Sequence, residues 1–323
     1  MGVCLLKLSL LAQTGSNLDV AHDFVSHIFL PKTRVSILRR CVYFCLFVII
    51  NMNKYKNWEG IRMPETGNVL LEKSNGIATI TMNRLEALNS LHPVMVEKLV
   101  ERLREMENDP GVKVVILTGA GKAFCAGGDL PYLEKLDNPV AGRDYIVLAG
   151  KLNTAIKNLP KPVIAMVNGG AAGAGFNLAL ACDLIFCAKS ARFAQSFAKI
   201  GLIPDCGGHY FLPRAVGIHK AKELMFTADL IDATTAQNLG FVNQVVEDEN
   251  LQEATFQFAQ KLAAAAPIAL SFIKKILNQG SELSLEGILE LEASLQSVCL
   301  QTKDNKEGIK AFKEKRKPVF TGL

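Results

Sequence analysis

The apolar and polar positions of this chain fall into short alternating or continuous runs separated by turn residues. Val69 to Glu72 and Ile77 to Met82 flank Lys73-Ser-Asn-Gly76, and the Asn-Gly pair between two strand-type runs predicts a β-hairpin. His92 to Glu107 carries apolar residues at helical spacing, with Pro93 in its first turn and Pro110 beyond its end, so it predicts a helix. Val112 to Thr118 and Lys161 to Val167 are strand-type runs. Leu178 to Ala181 supplies the apolar face of a helix beginning near Ala174. Strand and helix patterns alternate to about Val246, and from Asn250 onward the pattern is almost all helix. This order predicts an α/β class.

Composition changes the picture little. The chain has 323 residues with 49% apolar content, enough for a sizeable core, and about 255 residues suit a single domain after an N-terminal extension. Net charge is +5. Residues 1–51 hold Lys7, Lys32, Arg34, Arg39 and Arg40 against Asp19 and Asp23, leaving +2 for the rest, so no broad basic field for nucleic acid is expected. Cys41 to Ile50 is an apolar run of ten, short of the roughly 20 residues that span a bilayer. It also lies too far along the chain for a simple signal peptide. Residues 1–51 are read as a disordered arm or as sequence upstream of the native start, residues 52–67 as a leader, and a membrane-associating or targeting segment is the alternative for the extension. The eight cysteines form no CxxC pair, which points to a reducing, cytoplasmic setting. No His, Cys and acidic cluster has metal-ligand spacing.

The candidate chemistry lies in two glycine-rich junctions. Asn168 to Asp183 (NGGAAGAGFNLALACD) joins a strand to a helix through residues with almost no side chains, so backbone must be the exposed surface there. The first N–H groups of that helix have no partner within it and suit an oxygen that develops negative charge. Phe124-Cys-Ala-Gly-Gly-Asp-Leu130 has the same character. Two such loops can aim two N–H groups at one oxyanion; for either loop alone an ordinary turn is the alternative. The spacing Gly170-x-x-Gly173-x-Gly175 is not the dinucleotide fingerprint.

Five segments in order, Asn83 to Leu91, Ala123 to Leu130, the loop from Asn168, Gly201 to Gly208 and Glu307 to Phe320, resemble the crotonase superfamily of enoyl-CoA hydratases and isomerases. The resemblance implies an α/β fold with a ββα spiral core, here residues 68–255, and a C-terminal helical trimerisation segment, residues 256–323. It implies an acyl-CoA substrate with no separate cofactor, and a homotrimer or dimer of trimers with no membrane partner for the core. Matched residue by residue, the oxyanion donors fall on the N–H groups of Gly128 and Ala174. Substrate-binding positions fall on Glu86, Ala87, Leu88, Ala126, Gly127, Asp129, Leu130, Gly173 and Asn177.

The chain departs from the hydratase pattern where that pattern needs two glutamates. The matching positions are Asn177 and Phe197, and neither titrates usefully. The other candidate acid/base is Asp205, where several family isomerases carry a single carboxylate. Pro204 before it and Gly207-Gly208 after it also read as a turn into a helix around His209 to Ala215, so Asp205 is equally a candidate N-cap. The wording of the central third is most similar to the 1,2-epoxyphenylacetyl-CoA isomerase branch. A hydratase or thioester hydrolase using Asp205 with water, and a non-catalytic acyl-CoA or RNA-binding relative, are the alternatives.

Overall fold

The computed structural model describes residues 67–280 and 282–323, so the readings for residues 1–51 and 52–66 lie outside the described residues. The chain enters through the antiparallel pair β1 (Val69–Ser74) and β2 (Ile77–Met82), with Ser74 opposite Ile77. Asn75 and Gly76 both have positive φ, 52° and 77°, which is the two-residue turn that an Asn-Gly pair favours. Helix α1 (Pro93–Asn108) follows, with His92 as its N-cap and Pro93 at its start, close to the expected limits.

From there the chain repeats one device: a strand in a large sheet, a strand in a small sheet, then helix. The first turn is β3 (Val114–Gly119), β4 (Ala123–Cys125), the short α2 (Leu130–Leu133) and the long α3 (Pro139–Asn158). The second is β5 (Val163–Val167), β6 (Gly170–Ala172) and α4 (Ala174–Ala181). The third is β7 (Leu184–Ala188) and β8 (Arg192–Ala194), followed by α5 (Gly208–Val216) and α6 (Ile218–Thr227). After β9 (Ile231–Asp232) and α7 (Ala233–Asn238), β10 (Gln244–Val246) closes the large sheet. That sheet runs β1-β2-β3-β5-β7-β10, parallel beyond the first pair, and the small one runs β4-β6-β8-β9. This is a spiral of ββα turns.

The parallel strands are apolar along their length because both faces are covered. Helix α8 (Leu251–Ala263) packs across β2, β3, β5 and β7 on one side. Helix α3 packs against α1 and α4. The boundary expected at residue 255 therefore falls inside α8, whose Leu251, Thr255, Ala259 and Ala263 are all buried. The change from mixed to purely helical pattern marks where strands stop, not where the core stops. Helices α9 (Pro267–Gly280), α10 (Leu285–Gln301) and α11 (Lys303–Lys313) follow, leaving Leu277, Leu285 and Phe312 exposed.

Short strands of the small sheet escaped the sequence pattern, β4 at the start of the first glycine junction among them. The Asn168 loop contains strand β6, which pairs in parallel with β4 and β8. Its Gly-Ala-Ala sequence has no strand signature; the crowding lies just before it, where a Cβ on Gly169 would stand 2.1 Å from the Lys122 carbonyl oxygen, whereas one on Gly170 would meet nothing within 4 Å.

Candidate active site

The first loop is held open from both sides. Asn89 is fully buried with φ 60°; its Oδ1 accepts the Arg84 N–H at 2.9 Å, and its Nδ2 donates to the carbonyls of Ala120 and Ala123 at 3.0 and 2.8 Å. Asparagine tolerates this left-handed backbone, and its amide ties the turn that carries Glu86, Ala87 and Leu88 to the strand end beyond β3. The Ala126 N–H then donates to the Leu88 carbonyl at 3.0 Å, and the Leu91 N–H to the Gly127 carbonyl at 2.7 Å. The two expected binding segments, 86–88 and 126–130, are thus zipped together.

Gly127 is the point where this loop meets the second one. Its φ is 103°, and a Cβ there would stand 2.7 Å from the Ala172 carbonyl oxygen and 3.4 Å from the Ala174 nitrogen. Gly173, at φ 52° and ψ −123°, caps α4 with a backbone that only glycine adopts readily, turning the Ala174 peptide into the first position of the helix. The Ala174 N–H has no acceptor one turn back within α4. Helix α4 is fixed beneath: Phe176 packs at 5.3 Å from Phe193 and 5.1 Å from Phe241, ring centre to ring centre. Such pairs contribute about 0.5–1.5 kcal/mol each beyond their buried area.

Asp205 stands at the turn before α5. It does not cap that helix: the N-cap is Gly207, with no side-chain cap hydrogen bond. The backbone around it is bound to α4 and α3. Asn177 Nδ2 donates to the Asp205 carbonyl at 2.8 Å, Asn153 Nδ2 to the Cys206 carbonyl at 2.8 Å, and Gly208 lies so close to Asn177 that a Cβ would be 2.5 Å from its Nδ2. The carboxyl itself is half-buried. Burial pushes it above its ordinary value, the Cys206 thiol and its own N–H offset this only partly, and Oδ1 has no partner among the described residues. Tyr145 lies between this turn and the first loop. Its hydroxyl donates to the Leu91 carbonyl at 2.8 Å and would be 3.5 Å from a Cβ on Gly128. Burial raises its pKa, and the nearby Cys206, Asp205 and Asp129 raise it further.

Two expected binding residues have other employment. Asn177 is completely buried and its amide is spent on protein: Nδ2 on Asp205, and Oδ1 accepting from Gln195 Nε2 at 2.7 Å. It holds the Asp205 turn. The Asp129 carboxylate accepts from Arg84 Nη1 at 2.8 Å, Ser90 Oγ at 2.9 Å and the Tyr132 N–H at 3.1 Å. Burial pushes it up and Arg84 and Ser90 more than offset that, so it stays ionised below the usual carboxylate range as the N-cap of α2. Glu86, Leu88 and Leu130 are exposed. Asn153, Gln195, Arg84 and Tyr145 were missed because each is recruited from a distant element.

Phe197, where the second glutamate would stand, is buried beside Gly173. Cys206 is buried, and burial followed by the Asp205 charge pushes its thiol far up, which suits packing and not nucleophilic attack. His209 is exposed.

The family model described as enoyl-CoA hydratase/isomerase matches residues 72–323. A short-chain-enoyl-CoA hydratase of Clostridium acetobutylicum is 39% identical over 254 residues, covering 78% of this chain and 97% of its own. A 1,2-epoxyphenylacetyl-CoA isomerase of Escherichia coli is 40% identical over 258 residues, covering 79% and 98%. Among solved structures, an enoyl-CoA hydratase from Bacillus anthracis superposes with a TM-score of 0.77 at 36% identity, covering 80% of this chain and all of its own. The isomerase branch is therefore one of several equally similar groups. The spiral of ββα turns, the two glycine junctions and a match over most of the chain lead to one conclusion: this chain belongs to the enoyl-CoA hydratase/isomerase family of the crotonase superfamily.

Proposed function

We propose that the protein is an acyl-CoA isomerase that shifts a double bond along the acyl chain, with Asp205 as its single acid/base. In this reading the N–H groups of Gly128 and Ala174 receive the thioester oxygen. Asp205 takes a proton from C2 of a 3-enoyl thioester, the C2–H electron pair spreads into a dienolate whose oxygen the two N–H groups stabilise, and the same carboxyl returns the proton at C4. The double bond then lies at the 2 position and no atom is gained or lost. One observation carries the proposal: the Asp205 carboxyl is raised by burial, has an unpartnered oxygen, and is tethered through Asn177 to the helix whose first residue is Ala174. A carboxyl that removes and returns a proton works best with a pKa nearer neutrality than a solvated aspartate has.

Hydration of a 2-enoyl thioester is the second reading, supported by the hydratase names among relatives of similar identity. Against it, Asn177 is buried with both ends of its amide bound, and Phe197 cannot handle a proton. The C-terminal helices, with Leu277, Leu285 and Phe312 exposed, support assembly as a trimer through that segment.

The test is turnover of a 3-enoyl-CoA and of crotonyl-CoA by purified protein and by Asp205→Asn. Isomerisation that disappears in the variant while CoA-ester binding persists is the expected result. Brisk hydration of crotonyl-CoA, with isomerisation absent or indifferent to the substitution, rejects the isomerase reading. A panel including ring-epoxide thioesters would then rank the acyl groups.

A further inference from the structure

We infer that Asn153, Asn177 and Gln195 form a buried amide relay whose task is to aim the Asp205 carboxyl, so that all three are positioning residues for proton transfer. The inference rests on the isomerase reading above and adds residues for which the family pattern predicts no such part.

The relay is continuous. Gln195, completely buried at the end of β8, donates Nε2 to Asn177 Oδ1 at 2.7 Å. That bond fixes which end of the Asn177 amide is the donor, and its Nδ2 goes to the Asp205 carbonyl at 2.8 Å. Asn153, buried on α3, donates Nδ2 both to the Cys206 carbonyl at 2.8 Å and to the Asn177 carbonyl at 3.1 Å. Two consecutive peptides of the turn, those of Asp205 and Cys206, are thereby held by side chains from two different helices. The turn needs such restraint, because Cys206, which is not a glycine, lies at φ 47°, a backbone that would relax if released.

The chemistry of the relay is selective. Asn177 Oδ1 must accept from Gln195 while Nδ2 donates to Asp205, which an amide does and a carboxylate cannot. A glutamate at position 177 would bring a second negative charge against the Asp205 turn; the asparagine supplies a neutral donor instead. Two acceptors of the relay, Asn153 Oδ1 and Gln195 Oε1, are buried without partners among the described residues. Buried polar groups left unsatisfied are costly, so their presence marks a place where a packed apolar core would have been more stable. Asn177 also sits one turn along α4 from Ala174, so a single rigid helix locates one oxyanion donor and the carboxyl that works across from it.

The tests are Asn177→Asp and Asn153→Ala, with Gln195→Met as the mildest perturbation. Each is confirmed folded by circular dichroism and assayed for isomerisation of a 3-enoyl-CoA. Displacing a catalytic group by a fraction of an ångström to an ångström costs up to about 100-fold, so kcat is expected to fall about 10- to 100-fold with KM almost unchanged. A second readout separates aiming from folding. In deuterium oxide the parent carries most of the C2 proton to C4, whereas a loosely held carboxyl exchanges with solvent, so deuterium at C4 rises in the variants. Asn177→Ser, which keeps a short hydroxyl donor, is expected to recover part of kcat relative to Asn177→Asp. Folded variants with parental kcat and parental deuterium content overturn the relay, even if their Tm is lower. If Asp205→Asn itself isomerises normally, the isomerase reading falls first; if Asp205→Asn is inactive and the relay variants are normal, only the relay falls.

Discussion

Gly127→Ala is the substitution with the clearest expected consequence. A Cβ at Gly127 would stand 2.7 Å from the Ala172 carbonyl oxygen, closer than such atoms come, and the obstacle is backbone, so no rotamer relieves it. The φ of 103° is also strained for any L side chain. One loop must move away from the other, and the Gly128 peptide, a donor in the proposed reading, turns with it. The strained backbone costs stability of about 1–3 kcal/mol. Loss of one oxyanion donor raises the barrier by about 3–4 kcal/mol, which is roughly a 10²- to 10³-fold fall in kcat. The assay follows the conjugated 2-enoyl thioester by ultraviolet absorbance as a 3-enoyl-CoA is consumed, on protein shown to be folded. Gly170→Ala is the matched control: it lies in the same small-residue stretch, with nothing within 4 Å of its Cβ, and leaves rate and stability alone. A folded Gly127→Ala protein turning over within about threefold of the parent, far short of a lost donor, refutes the convergence of the two loops.

Asp205 yields a pair of pH predictions. In the proposed isomerisation Asp205 must be ionised to accept a proton, so with its carboxyl raised by burial kcat/KM is expected to rise with pH to a plateau, with an apparent pKa above the ordinary carboxylate value of about 3.9. The same raised value means that its contribution to stability is complete below the unfolded-state pKa and is lost as pH rises through the folded-state pKa. Asp205→Asn removes that dependence, and thermal unfolding at neutral pH should show the variant more stable than the parent, with the difference shrinking in acid; a variant less stable at neutral pH and unchanged in acid contradicts the raised carboxyl. Away from the site, Lys274 on α9 lies 2.7 Å from Asp183 and also donates to the carbonyls of Ile156 and Lys161. Lys274→Met removes a buried ammonium from a partly exposed carboxylate and leaves the Ile156 and Lys161 carbonyls without their donor, and should cost about 1–3 kcal/mol, or roughly 2–12 °C in Tm by calorimetry, with kcat per folded molecule unchanged.

Much of the scaffold was legible because its signals are local. The Asn75-Gly76 turn, the first helix with Pro93 in its first turn, and the start of α4 at Ala174 each follow from residues within one turn of the feature itself. Strand β6 was not legible, since Gly170-Ala171-Ala172 is only three residues long and carries no β-branched pattern. That residue 255 falls within α8 was not legible either: α8 looks like any amphipathic helix, and only the sheet beneath it shows what its buried face covers. The two glycine junctions were legible as backbone surfaces, but side-chain direction was not. Asn177 and Asp129 occupy motif positions that resemble binding positions, and both turn inward to protein partners. Asn153 and Gln195, which lie 24 and 18 residues from Asn177, leave no trace in spacing or composition.

The most direct measurement is the crystal structure of the protein with an unreactive 3-enoyl-CoA analogue bound. The thioester oxygen is expected within about 2.7–3.1 Å of both the Gly128 and Ala174 nitrogens, with an Asp205 carboxylate oxygen about 3–3.5 Å from C2. A thioester oxygen away from either nitrogen, or an Asp205 carboxyl turned from the acyl carbons, would contradict it.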